Sequence, residues 1–334
     1  MISPVHIHAS APTRIDLAGG TLDIWPLYLF HDGAQTINAA VSLRAHCQLT
    51  SRRDHRIRLV SDDTGEEIEV GDPAELDVSR LPLVTRLVRH FGARGLEIRT
   101  RSDSPVGAGI AGSSAMNIAL AGALAAWTGR QLSEGALLAL AMNIEAQVIA
   151  VPTGAQDYRP ALYGGVSAVE LGVAGIRRVA LDVEPIELER RLVLAYTGAS
   201  RQSGINNWDV MVRRISGDAA VAQAFDGIRD AAAGVRLALE RRNWRDVAAH
   251  VATEWEHRKR LAPGVTTPEI DYMLERAASA GALAGKVCGA GGGGCLFCLS
   301  EPEHRNGVAN ALAAAGASVL PVHIEATGLV VDRR

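Results

Sequence analysis

The sequence predicts an α+β protein built in two halves, residues 1–175 and 176–334. Three observations carry that reading. Some segments alternate: Val5, Ile7, Ala9 and Ala11 fall on one face and His6, His8 and Ser10 on the other, and residues 41–50 alternate again. Other segments repeat apolar residues at helical spacing, as Leu83, Leu87 and Phe91 do at i, i+4 and i+8. Midway, Gly175 and the pair Arg177-Arg178 interrupt both patterns, in a chain of 334 residues that is long enough for two domains.

Taken in order, the first strand runs into APTRIDLAGGTLDIWP, where Arg14, Asp16 and Asp23 surround a Gly19-Gly20 turn. That cluster reads either as a hairpin turn with solvated charges or as the polar rim of a pocket. Short strands at 56–61 and 66–70, a helix at 81–91 and a strand at 95–102 follow. They lead to SPVGAGIAGSSAMNIALAGALAAW, residues 104–127, where Gly107, Gly109 and Gly112 precede Ser113 and Ser114 and a helix then begins. Met116, Leu120, Ala123, Leu124 and Trp127 form the apolar stripe expected of that helix. Glycine lacks a Cβ and lets the backbone approach a ligand closely. A helix start adds unpaired N–H groups and the positive end of a dipole, so the stretch suits an anion, most commonly phosphate.

Two better-known glycine motifs fail. The three glycines spell G-x-G-x-x-G, but Pro105 separates them from the preceding strand and residues 128–132 are too few for the next one. No Lys follows the last glycine, which excludes a Walker A loop. What remains is a loop with serines at a helix start, suited to phosphate and a phosphate-bound Mg²⁺. An ordinary loop and helix cap would use the same residue types.

Ser133 caps the next helix, 134–149, in which Glu145 lies among Leu138, Ala141, Met142 and Ile149. A carboxylate in that setting needs a partner, and a metal held jointly with a serine hydroxyl would provide one. A distant Arg at the helix edge is the competing partner. Asp157 follows in a Gly- and Pro-bounded loop, as a turn residue or as an oriented carboxylate in the same cleft.

The second half opens with strands at 176–183 and 192–197 and the turn TGASRQSG, which carries Arg201. Helices are expected at 218–241, with Val221, Phe225, Ile228, Val235 and Leu239 on one face, and at 244–261. A third starts at Thr267-Pro268 and stops at Gly281. KVCGAGGGGCLFCL then lies between two strands, so its glycines serve close backbone approach, to a ligand or to the first glycine loop. A helix at 305–315 and strands at 319–325 and 328–331 close the chain.

Hydrophobic residues at 48% and charged residues at 21% exclude a disordered chain, and no apolar run reaches the ~18 residues of a spanning helix. A net charge of −3 gives no reason to expect nucleic acid or an anionic membrane. MISPVHIHASAP lacks a basic start followed by an apolar run, so the expected location is cytoplasmic. Cys295 and Cys298 lie three apart on a strand and face opposite ways, so buried reduced thiols are expected instead of a metal site. His6 and His8 share a strand face without a third ligand nearby.

Three segments in this order, APTRIDLAGGTLD, PVGAGIAGSSAM and KVCGAGGGGC, resemble the motifs of the GHMP small-molecule kinases, which include galactokinase, homoserine kinase and mevalonate kinase. PTGAQDYRPALYGGV, AYTGASRQSG and EWEHRKRLAPGVTTPEID resemble the heptose-phosphate kinase and fucokinase branch. The resemblance implies a ribosomal protein S5 domain 2-like N-terminal domain and a ferredoxin-like C-terminal domain. It implies ATP and Mg²⁺, with Pro105, Gly107, Ala108, Gly109, Ala111, Gly112, Ser113 and Ser114 around the phosphates. Ser113 or Ser114 with Glu145 would hold the metal. Asp157 would accept or orient the proton of the attacking hydroxyl, and Arg14 would polarise it. Asp23 would contact the sugar, and Gly20, Gly291, Gly292, Arg201 and Lys286 would complete the substrate side, the last two on a substrate phosphate. The implied acceptor is the anomeric hydroxyl of D-glycero-D-manno-heptose 7-phosphate, with a free, fucose-like sugar or a non-catalytic sugar and ATP sensor as alternatives. A homodimer is compatible with it. Ile110-Ala111-Gly112 stands where Leu-Gly-Ser is commoner and Cys295 where Phe is, which leaves the choice of Mg²⁺ serine open.

Overall fold

The computed structural model describes residues 5–199 and 207–334. β1 (His6–Ala18) and β2 (Gln35–Ser51) pair antiparallel, with register shifts at Pro12/Thr13 and Asp16/Ala18. Such shifts bend a strand and re-aim its side chains, and these two flank Arg14 and Asp16. β3 (Ile57–Ser61) and β4 (Glu67–Val70) form a hairpin, α1 (Pro82–Phe91) follows, and β5 (Leu96–Ser102) pairs with the second part of β2. α2 (Gly112–Thr128), α3 (Glu134–Ile149) and the short α4 (Tyr158–Tyr163) come next. β6 (Val166–Gly172) then pairs with the first part of β2, and β7 (Gly175–Ala180) with β6.

After α5 (Pro185–Glu189), the chain enters a second, four-stranded antiparallel sheet at β8 (Leu192–Tyr196). α6 (Asn207–Ile215), α7 (Ala219–Glu240), α8 (Trp244–Lys259) and α9 (Pro268–Ser279) precede β9 (Ala282–Val287) and β10 (Cys295–Ser300). α10 (Arg305–Ala314) and β11 (Ser318–Leu320) complete the order β11-β8-β10-β9. β12 (Val330–Arg333) returns to the first sheet beside β1. β7 and β12 therefore both belong to the first sheet, which takes strands from both ends of the chain.

The capping residues act as their chemistry requires. Ser133 accepts from Ala136 N at 3.2 Å, Asp218 from Ala220 N and Val221 N, and Thr267 from Ile270 N ahead of Pro268. The stripe expected along α2 needs correction. Met116 and Trp127 are only partly buried, whereas the helix is buried on nearly all sides from Ser114 to Leu124. Its small residues allow this: a Cβ on Gly122 would come within 2.8 Å of Leu329. A helix that is apolar and small on every side belongs in the middle of the structure.

Cys295 and Cys298 face different cores, one against α7 and α8 and the other against α9 and α10. All four cysteines are buried and free. No helix among the described residues is long and apolar enough to cross a membrane.

Candidate active site

The glycine loop between β5 and α2 curls through left-handed backbone at Gly107 and Gly109, both at φ 72°, and again at Ala111, at φ 63°. The first α-helical bond runs from Ala115 N to Ala111 O at 2.9 Å, so the N–H groups of Gly112, Ser113 and Ser114 face the open end of the helix. Ile110 is fully buried and its carbonyl accepts from Arg14 N at 3.0 Å, which pins the loop to β1. A cleft of about 690 Å³ opens in front. Pro105, Gly107, Ala108, Gly109, Ala111, Gly112, Ser113 and Ser114 all line it, together with Glu145 and Asp157.

Glu145 comes from α3 and is 8% exposed. Its carboxylate accepts from Ser113 Oγ at 2.8 Å and Ser114 Oγ at 2.9 Å, and Tyr158 also bonds it. Burial raises its pKa against those hydroxyl donors. Among the described residues no Arg or Lys pairs with it, so none of them is the distant Arg of the competing explanation. Among the described residues no three His, Cys, Asp or Glu side chains converge as a metal site. One buried carboxylate beside two hydroxyls is instead the hard-oxygen, incomplete set that suits Mg²⁺ carried by a phosphate chain.

Asp157, immediately before α4, meets Arg14 of β1 at 2.6 Å from Nη2 and 2.9 Å from Nε. Arg14 is 3% exposed and its Nη1 reaches Gly109 O at 3.2 Å. Burial opposes its charge, but Asp157 and Asp16 outweigh that and raise its pKa. The pair borders a second, small pocket of about 60 Å³, walled also by Thr21, Asp23, Gln156 and Gly289. Asp23 is 2% exposed and accepts from Gln156 N at 2.8 Å. Burial, then the nearby Asp157 charge, lifts its pKa to about 6.

Four expected substrate residues fare differently. Lys286 is fully buried, 2.9 Å from Glu254 and 3.7 Å from Asp16, so it balances buried carboxylates and offers nothing to a substrate phosphate. Gly20 is buried behind the pocket, where its carbonyl accepts from Arg258 and a Cβ would lie 2.1 Å from Asp16 Oδ2. Gly291 and Gly292 pack on Val265, so Gly289 and Ala290 supply the pocket wall instead. Arg201 lies outside the described residues.

Sequence reasoning missed Thr21, Gln156 and the buried pair Glu254–Arg258. Gln156 adjoins Asp157 and could have been found by that proximity. Glu254 and Arg258 are spaced i, i+4 on α8, a signal that reads equally as a solvated helix pair.

The GHMP kinases N terminal domain model matches residues 80–165, and the GHMP kinases C terminal model residues 235–318. The D-glycero-alpha-D-manno-heptose 7-phosphate kinase of Campylobacter jejuni is 30% identical over 320 residues, covering 92% of this chain and 93% of that protein. The mevalonate kinase of Thermococcus gammatolerans is 26% identical over 351 residues, covering 98% and 99%. A D-glycero-D-manno-heptose 1-phosphate kinase from Bacteroides thetaiotaomicron shares the fold, with a TM-score of 0.78, 24% identity and 98% of each chain covered. So does Lactococcus lactis galactokinase, at a TM-score of 0.75, 18% identity, 97% of this chain and 95% of that one. With both of the family's domains in order, its two-domain architecture and a relative at this identity along almost its whole length, the chain belongs to the GHMP kinases and is an enzyme of that family.

Proposed function

We propose that the chain transfers the γ-phosphate of ATP to the anomeric hydroxyl of a sugar phosphate, with D-glycero-D-manno-heptose 7-phosphate as the preferred acceptor. The observation that carries the transfer is the Arg14–Asp157 pair, which forms a shared wall of the large cleft in front of the glycine loop and the small polar pocket. A donor in one and an acceptor in the other would meet at that wall. The choice of sugar is supported by the heptose kinase relative.

The residues divide the work. Backbone N–H groups at the start of α2 hold the phosphates, the dipole behind them favouring negative charge. Glu145 with Ser113 or Ser114 would hold Mg²⁺, which when bound neutralises charge on the transferring phosphoryl group. Arg14 fixes the Asp157 carboxylate by two bonds, and Asp157 orients the acceptor hydroxyl and takes its proton. Asp23 receives hydroxyl hydrogens from the sugar. Phosphoryl transfer needs positioning and charge neutralisation more than covalent help, and this set provides both.

One observation favours a free-sugar acceptor. The only cation among the described residues that line the small pocket is Arg14, and it is already paired. An ADP-release assay with ATP and a panel of free sugars and sugar phosphates separates the two. The heptose 7-phosphate should exceed every free sugar in kcat/KM by at least ~10-fold. A preference for a free sugar would reassign the acceptor, and no turnover with any acceptor would remove the kinase reading.

A further inference from the structure

Behind the small pocket lies a group of acidic and basic side chains that phosphoryl transfer does not use. Asp16 of β1, Glu254 and Arg258 of α8 and Lys286 of β9 are each no more than 1% exposed. Burying two acids and two bases is costly even when they are paired, and apolar side chains of similar size would often serve stability as well or better.

Arg258 shows what the arrangement achieves. Its Nε and Nη2 donate to Glu254 Oε1 at 2.9 and 2.5 Å, and Nη2 also reaches Gly20 O at 3.0 Å and Asp16 Oδ2 at 3.3 Å. Its Nη1 donates to Gly289 O at 3.2 Å and lies 3.4 Å from Thr21 Oγ1. One planar fork therefore joins a helix of the second half to the turn after β1 and to the second glycine loop. Glu254 Oε1 also accepts from Gly19 N at 3.3 Å.

The turn being gripped is an unfavourable one. Thr21 has φ 74°, in the left-handed region that a β-branched residue rarely enters. Two residues later comes Asp23, which faces the small pocket together with Thr21 and Gly289. We infer that Arg258, braced by Glu254, Asp16 and Lys286, is a positioning residue for the acceptor: it holds the strained Gly20–Thr21 turn and the Gly289 carbonyl, and through them sets Asp23. The inference deepens the kinase reading and rests on it for its kinetic consequence only.

Arg258→Lys keeps the charge and loses the fork. Hydrogen–deuterium exchange on this variant needs no turnover and so is independent of whether the acceptor is correctly named. Exchange should accelerate at least ~10-fold across residues 18–24 and stay within ~2-fold of the parent across residues 105–116. In the assay, KM for the acceptor should rise at least ~10-fold while KM for ATP changes less than ~2-fold. Adding Thr21→Gly, which accepts the positive φ without strain, should recover at least ~3-fold of the lost acceptor KM. Should Arg258→Lys fail to fold, Glu254→Gln, which retains the side-chain shape and an acceptor oxygen, carries the same expectations. A merely structural role would instead give uniform exchange increases, equal changes in both KM values and no recovery from glycine. Any of those results overturns the positioning role.

Discussion

The chain has two glycine-rich loops, and they use glycine for opposite ends. In the first, Gly107 and Gly109 bend the backbone so that a row of N–H groups and two serines face a cleft of about 690 Å³. In the second, between β9 and β10, glycine lets backbone lie on backbone. A Cβ on Gly291 would come within 2.3 Å of Val265 O, and one on Gly294 within 2.7 Å of Ala108 O. The second loop therefore supports the first: Cys295 N donates to Ala108 O at 2.7 Å, and Gly109 packs over Cys288 O. Glycine content marks close approach, and only the surroundings decide whether a ligand or another part of the chain makes it.

Substitutions can break that contrast. The largest effect is expected beside the first loop: Asp157→Asn should lower kcat by about 10³-fold with KM for ATP unchanged within ~3-fold. Glu145→Gln should follow, weakening Mg²⁺-nucleotide binding by about 10²-fold in titration calorimetry while free nucleotide binds nearly as before.

Gly294→Ala should then cost stability, about 2–4 kcal/mol in denaturant unfolding, from backbone overlap and a φ of 80° together. Gly109→Ala shares the left-handed strain, at φ 72°, but its Cβ meets nothing nearer than 3.1 Å, so it should cost about 1–2 kcal/mol of stability and show chiefly as a raised KM for ATP. If the two glycine variants exchanged signatures, the division of labour between the loops would be wrong.

The smallest effect is one of pH. Because the folded-state pKa of Asp23 is raised from 3.8 to about 6, the native state holds a proton that the unfolded chain has released between those values. Folding stability from this group therefore falls as pH rises through that window, and above it the buried carboxylate costs up to ~3 kcal/mol. Asp23→Asn should raise the midpoint of thermal unfolding at pH 8 and leave it nearly unchanged at pH 4. The acceptor kcat/KM of the parent should fall below pH 6 as Asp23 gains its proton, and the variant, weaker throughout, should lose that step.

Much of this was legible from residues alone, for identifiable reasons. Alternation and helical spacing gave most strands and helices to within a few residues, and Ser133, Asp218 and Thr267-Pro268 marked helix starts by their chemistry. The first glycine loop was readable because a helix follows it, and Glu145 because no local cation accompanies it. Pairing across the sheets was only partly readable: β12 joins the first sheet beside β1 through contacts distant in sequence, whereas β7 joins it by a local hairpin with β6. Lys286 was misread for the same reason, since Glu254 and Asp16 lie 32 or more positions away and their charges pull it inward. The difference between Gly289, which faces the small pocket, and Gly291, which faces Val265, rests on packing that no spacing rule encodes.

The most direct test is a crystal structure of the complex with Mg²⁺ and a non-hydrolysable ATP analogue. Phosphate oxygens should lie within ~3.2 Å of N–H groups between Gly109 and Ser114. The metal should sit on Glu145 and one of the two serines, with the terminal phosphate facing Asp157. A nucleotide seated elsewhere, with neither Glu145 nor Asp157 near its phosphates, would contradict that placement.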